Sequence, residues 1–184
     1  QDPVFLECIK MISEHTELIR NLVNEFSSFA RFPAANPVMS DIRPIIQDMI
    51  AYYRAGNPRI RFELELNSPL PQLNIDPQQI KQALLNLIDN AVAAVKGEDG
   101  LIRVTASPSE DGNHVRIRVS DNGVGVPDRE KPRLFEPDYT TKKSGMGLGL
   151  AIVNTIVYDH HGEIRLEDNQ PSGTTFVIQL PVAA

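Results

Sequence analysis

Residues 3–31 contain no glycine and a single proline, placed at the very start, where a helix accepts it. Apolar or small residues recur at Phe5, Ile9, Ile12, Thr16, Ile19, Val23, Phe26 and Ala30, alternately four and three apart. That spacing predicts one long helix with a heptad seam, the pattern by which helices pack side by side. Leu18, Leu22 and Phe29 widen the stripe. A face so wide needs cover, either from its own domain or from a bundle. Pro33 and Pro37 separate the helix from the rest of the chain, which favours the bundle.

The remainder must fold on its own. The chain has 184 residues, enough for one full domain with an accessory element. Hydrophobic residues make up 41% and charged residues 23%, so a packed core is expected rather than disorder. The net charge of −6 argues against a nucleic-acid binder held by a basic surface. No run reaches the roughly 18 apolar residues of a membrane span, so no membrane contact is expected of this segment. Cys8, the sole cysteine, permits neither an internal disulfide nor a cysteine-rich zinc site and fits a reducing, cytosolic setting. The chain opens at Gln1 without a signal peptide, as an excised piece would.

Beyond a linker at 34–43, a short helix is expected from Pro44 to Ala55, ended by Gly56-Asn57-Pro58. Ile60, Phe62, Leu64 and Leu66 alternate with charged residues, the pattern of a half-buried strand. Leu73 to Ile75 reads as a second strand. Asp76-Pro77 opens a helix running to about Lys96, with Asp as cap and Pro in the first turn. Strands at Leu101–Ala106 and Val115–Val119 come next. Residues 122–149 carry Gly, Pro and charge without periodicity, a loop long enough to be functional or mobile. A helix from Gly149 to Asp159 and strands at 162–167 and 174–180 complete the chain. This order predicts an α+β fold in two layers, with helices on one face of a mixed sheet.

Four groups of residues could carry chemistry. Asn86 and Asn90 lie four apart on one helix face, and a carboxamide oxygen can ligate a hard cation such as Mg²⁺ without adding charge. Two such Asn are also ordinary on an exposed helix. Asp121-Asn-Gly-Val-Gly125 comes directly after a strand, so a carboxylate at the strand end could accept from an amino group while Gly123 and Gly125 let the backbone approach a flat ligand. Asp-Asn-Gly is equally a common turn. Gly145, Gly147, Leu148 and Gly149 precede a helix, where backbone N–H groups can surround phosphates. The run is neither a Walker loop nor a dinucleotide fingerprint. Lys142 and Lys143 stand close by. Phe135-Glu-Pro137 offers an aromatic anchor by which a polar loop could dock as a lid.

Taken in order, these groups resemble the ATP-binding domain of sensor histidine kinases, in the superfamily shared with gyrase, Hsp90 and MutL. Asn86–Asn90 is similar to the family's N box, Asp121–Gly125 to its G1 box, Phe135–Pro137 to its F box and Gly145–Leu150 to its G2 box. The resemblance covers about residues 44–182 and implies the Bergerat two-layer α/β sandwich. By it, Asn90 would ligate Mg²⁺, and Asn86 would sit beside the phosphates. Asp121 would accept the adenine amino group, and Gly123 and Gly125 would shape the base pocket. Gly145, Gly147, Leu148 and Gly149 would wrap the phosphates of ATP or ADP. Residues 127–144 would form a lid, Lys142 would approach the γ-phosphate, and Thr174 would support the adenine end. Phe-Glu-Pro with Tyr139-Thr-Thr-Lys142, and Ser27–Pro33, resemble the nitrogen-regulation NtrB/NtrY-like group and the end of its second dimerisation helix. Asp138 departs from the Phe usual there, and Ala93 from the Lys of many other kinases. The implied organisation is a partial dimerisation and phosphotransfer helix at 1–33, a linker at 34–43 and a catalytic domain at 44–184.

None of His15, His114, His160 and His161 is followed by the family's phospho-acceptor box, so the acceptor is expected on a segment before this one. The expected function is the catalytic portion of a two-component kinase, homodimeric through the N-terminal helix and serving a cognate response regulator. The alternatives are an ATP-hydrolysing clamp and a nucleotide-binding module without turnover. Clamps of that kind place a Glu where this chain has Asn86, and a carboxamide cannot act as a general base. The seam predicts self-association: Ile19→Glu should shift the chain toward monomer in sedimentation velocity. A wild-type chain that stays monomeric at high concentration would mean that the helix folds back on its own domain.

Overall fold

Alternating apolar residues on five strands leave a sheet with one face that must be covered. In the computed structural model the sheet order is β2 (Ile60–Leu66), β4 (Gly100–Pro108), β5 (His114–Asp121), β7 (Thr174–Pro181) and β6 (Glu163–Asp168). β2 runs parallel to β4, and every other pair is antiparallel. The structure describes residues 3–30, 34–67, 69–95, 99–137, 139–140 and 147–182.

Ile102, Val104 and Ala106 of β4, Val115, Ile117 and Val119 of β5, and Ile178 and Leu180 of β7 point into one core. Three helices close it: α2 (Ile42–Gly56), α3 (Pro77–Ala94) and α4 (Gly149–Asp159). The other face is polar. Glu63 and Arg103, opposite each other in the β2–β4 register, pair at 2.7 Å. Glu167 takes both Arg118 at 2.7 Å and Arg165 at 3.0 Å. Those two arginines flank Val177 in the ladder, and Val177 is buried although it points away from the helices.

The two-layer α+β expectation agrees with this arrangement, and the structure alters its details. The stretch 34–43, expected to carry no element, contains β1 (Val38–Ser40), which pairs antiparallel with β3 (Leu73–Ile75). Three residues are too few to show a period, and their partner lies far along the chain. α2 starts at Ile42 rather than Pro44, because Asp41 caps it by accepting the Arg43 N–H at 2.9 Å. Ile42 is fully buried. α3 ends at Ala94, before the expected Lys96, and residues 96–98 lie outside the described ones. β4 and β5 run past their expected ends, and Lys131–Arg133 form a 3₁₀ turn inside the aperiodic stretch.

The N-terminal α1 (Pro3–Ala30) is one continuous helix. Its seam residues Phe5, Ile9, Ile12, Ile19 and Val23 are between 48% and 66% exposed. The side chains of Leu18, Leu22, Phe26, Phe29 and Ala30 lie outside the described ones. Among the described residues no helix is long and apolar enough to cross a membrane.

One polar node sets the two helices that matter most for the site. Asp76 caps α3, its carboxylate accepting the N–H groups of Gln78 at 2.9 Å, Gln79 at 3.1 Å and Asn36 at 3.0 Å. Its own N–H donates to Nε2 of the buried His160 at 2.8 Å. Nε2 is therefore the acceptor, and Nδ1 donates to the Ile156 carbonyl at 2.7 Å. The beginning of α3 is thereby fastened to the end of α4. Burial alone would raise the Asp76 carboxyl, but its three backbone donors hold it below the usual range. A depressed carboxyl stabilises the fold above its unfolded pKa, and that contribution is lost as pH falls through the folded one. Asp76→Ala should cost about 1–2 kcal/mol of unfolding free energy at neutral pH. In urea titrations the gap to wild type should narrow as the pH drops below the carboxylate range.

Candidate functional site

Asp121 is the last residue of β5, and it is only 3% exposed. Its Oδ1 accepts the Gly123 N–H at 2.8 Å and the Thr174 N–H at 3.3 Å. Among the described residues Oδ2 has no such partner. Burial pushes this carboxyl above the usual range, and the two backbone donors offset that only in part. A buried carboxylate with one uncommitted oxygen is a site waiting for a donor.

The glycines around it are there for space. A Cβ on Gly123 would stand 2.6 Å from the Ala94 carbonyl group and 2.8 Å from Asp121 Oδ1. The loop therefore presses flat against the end of α3, where the Val124 N–H donates to the Ala94 carbonyl at 3.3 Å. Gly173 has φ +111°, and a Cβ there would collide with the Asp121 carbonyl oxygen. Gly125 comes close to Gly173 from the other side. Asn122, inside the motif but given no role from the sequence, ties the loop down. Its Oδ1 accepts from the Leu101 N–H at 2.8 Å, and its Nδ2 donates to the Asp99 carbonyl at 2.8 Å.

The second half of the site forms where α3 meets α4. Asn86 Nδ2 donates to the Gly149 carbonyl at 3.2 Å, so the N-box-like and G2-box-like segments touch. The N-cap residue of α4, Leu148, makes no side-chain cap bond. Among the described residues the first N–H groups of the helix have no side-chain acceptor, and they carry the positive end of the helix dipole, which suits an anion. Gly147, with φ +71°, bends the chain into this start. Leu148 is buried in the core, so only its backbone can face a ligand. Thr174 is buried as well, and it reaches Asp121 through its main chain. Asn90 lies one turn beyond Asn86 and is partly exposed. Lys142 and Gly145 lie outside the described residues, as does Asp138.

The segment before them makes contacts both within itself and to the sheet. Phe135 packs edge-on against Phe176, with ring centroids 6.5 Å apart. It is not the sole anchor: Lys131 pairs with Asp128 at 2.6 Å and with Asp168 at 2.8 Å. Arg133 sits over the Tyr139 ring and pairs with Glu136 at 3.0 Å. The Lys131–Asp168 contact spans 37 positions, which no local pattern discloses.

Among the described residues no three His, Cys, Asp or Glu gather into a metal-binding cluster. What the geometry offers is a buried carboxylate with one oxygen open at the end of β5, and an anion-favouring helix start beside the Asn86 carboxamide of α3.

Comparison with known proteins agrees. Residues 75–184 match the model of the histidine kinase-, DNA gyrase B- and HSP90-like ATPases. The nitrogen regulation protein NtrY of Azorhizobium caulinodans is 35% identical over 98% of this chain, which spans 24% of that protein. Across the curated relatives it matches, the chain spans about a quarter of their length. Two solved structures are also similar. Full-length ShkA in complex with AMPPNP has a TM-score of 0.77 at 30% identity, covering 97% of this chain and 39% of ShkA. Histidine kinase ThkA in complex with the response regulator TrrA has a TM-score of 0.80 at 27% identity, covering 100% of this chain and 53% of ThkA. With the fold, the buried strand-end carboxylate and the two carboxamides of α3 in view, this chain belongs to the histidine kinase-, DNA gyrase B- and HSP90-like ATPase family.

Proposed function

We propose that this chain is the ATP-binding catalytic portion of a two-component sensor histidine kinase of the NtrB/NtrY-like group. The observation that carries the reading is Asp121, a buried carboxylate with an uncommitted oxygen, walled by Gly123 and Gly173. An adenine presents an amino donor on a flat ring, which is what such a slot accepts. The γ-phosphoryl would pass to a histidine on another segment, mostly through positioning and electrostatics.

The residues divide the work. Asp121 Oδ2 would take the amino group, with Gly123 and Gly125 shaping the base pocket and Thr174 supporting the adenine end. The uncapped start of α4, with Gly147 and Gly149, would receive the phosphates, and Asn86 would hold that helix start against α3. Lys142 and Gly145 complete this assignment from sequence alone. Asn90 would hold Mg²⁺ through its carboxamide oxygen; the ion prefers few protein ligands plus phosphate oxygens and supplies charge neutralisation when bound. Of the chain's own histidines, His160 suits the acceptor role poorly, being buried with both ring nitrogens engaged, and none of the four is followed by the family's acceptor box. The exposed α1 seam supports pairing with a second copy as a homodimer. A cognate response regulator would receive the phosphoryl group, a role supported by the ThkA complex. The same reading sets the chain in the cytoplasm, with any membrane anchor carried by other parts of the parent protein.

Calorimetric titration tests the carboxylate. Asp121→Asn should weaken ATP binding about ten- to a hundredfold, since a donor then faces a donor. Wild-type affinity should fall on acidification, because protonation removes the charge and sets an O–H donor against the amino group. The fall should begin above the usual carboxylate range, as burial raises this group, and should flatten in Asp121→Asn. Unchanged affinity in that variant would remove Asp121 from the pocket. For the transfer step, γ-labelled ATP should leave this chain unlabelled and give acid-labile label on a separately added first-helix segment bearing its His box. Strong self-labelling that disappears in His15→Ala would overturn the assignment of the acceptor, and steady ATP hydrolysis without an acceptor would favour a clamp.

A further inference from the structure

Asn169 stands in the turn between β6 and β7, and its backbone N–H and both ends of its carboxamide are engaged. Its N–H donates to the Gly173 carbonyl at 3.1 Å, and its Oδ1 accepts the Gln170 N–H at 3.1 Å. An N–H can be received only by the oxygen of a carboxamide, so this bond fixes which way the side chain faces. The amide nitrogen is thereby aimed at the Asp121 carbonyl, 2.7 Å away.

That carbonyl has a reason to need a donor. The β5–β7 ladder ends at Ser120 opposite Thr175, one residue short of Asp121. Beyond it the chain leaves the sheet for the glycine loop. The Asp121 carbonyl thus sits at the edge of regular pairing in a largely buried place, where an unpaired acceptor is costly. Asn169 supplies the missing donor from 48 positions away. The same turn holds the other end of the residue, since the Thr174 N–H binds the Asp121 carboxylate and Gly173 packs on its carbonyl. Neighbouring Asp168 carries the Lys131 contact.

We propose that Asn169 is a positioning residue for base recognition: by pinning the Asp121 peptide it sets the height and direction of the carboxylate that receives the purine amino group. The inference rests on the adenine reading above and goes one step further, since it assigns selectivity to a residue that does not touch the nucleotide. Its signature is discrimination at purine C6. ATP presents an amino donor there, whereas inosine triphosphate presents a carbonyl on an otherwise closely matched molecule.

Titrating both nucleotides into the wild-type chain, Asn169→Asp and Asn169→Ala decides the matter. Asn169→Asp keeps the shape and the acceptor for Gln170 while removing the donor. Both variants should lose roughly three- to tenfold in ATP affinity with inosine triphosphate affinity unchanged, so the ratio falls. In an Asp121→Asn background the same substitutions should leave the ratio where it is, because Asn169 acts through Asp121. Equal weakening toward both nucleotides, an unchanged ratio, or loss of cooperative melting in both variants would assign Asn169 to the fold and overturn the proposal. A wild-type chain that binds both nucleotides equally would instead sink the adenine reading itself.

Discussion

The carboxylate of Asp121 is the constraint around which the rest of this structure is arranged. A charge at the end of a central strand is unfavourable unless donors surround it. Here the carboxylate has two: the glycine loop supplies the Gly123 N–H and the β7 strand the Thr174 N–H, while the β6–β7 turn supplies the Asn169 amide to the residue's own backbone carbonyl. At Gly123 and Gly173 the backbone packs on Asp121 more closely than a side chain would allow. The glycines are therefore as much a consequence of the buried carboxylate as a route for ligand.

The second organising relation is between α3 and α4. Asp76 at the start of α3 is bonded to His160 at the end of α4, and Asn86 farther along α3 is bonded to Gly149 at the start of α4. The two helices are therefore antiparallel. Asp76 to Asn86 and Gly149 to His160 each amount to about 15 Å at the rise of an α-helix, so the two contacts agree in length. The apolar packing between them, including Leu84, Leu87, Ile152 and Ile156, supplies the burial. The polar contacts set the register. That register is what puts the Asn86 carboxamide of α3 beside the start of α4.

Much of this was legible in the sequence where the signal is local. The cap at Asp76-Pro77, the alternation of β2 and the start of α4 at Gly149 all lie where their residues indicate. Asp121, Gly123 and Gly125 stand out through their order with the other groups, since Asp-Asn-Gly alone is equally a common turn. The misses have a common cause. β1 is three residues whose only reason to be extended is β3, and the start of α2 depends on Asp41 turning back on Arg43. The 3₁₀ turn and the Lys131–Asp168 contact hold a stretch whose composition reads as loose. Asn169 carries no signal at all, since a lone Asn in a turn is ordinary.

By itself the sequence determined the longer helices and strands, the apolar face of each and the chemical types present at the site, because periodicity, caps and glycines act over a few residues. It determined the heptad seam of α1 in the same way, and the structure shows that seam exposed. Only the tertiary structure decided which of those groups meet: that one Asp121 oxygen is taken by Gly123 and Thr174, that Asn86 reaches Gly149, and that Asn169 holds a carbonyl 48 positions away. Such contacts depend on where strands and helices come to lie after the core has closed, and a hydrogen bond of a few ångströms leaves no trace in the spacing of the residues that make it.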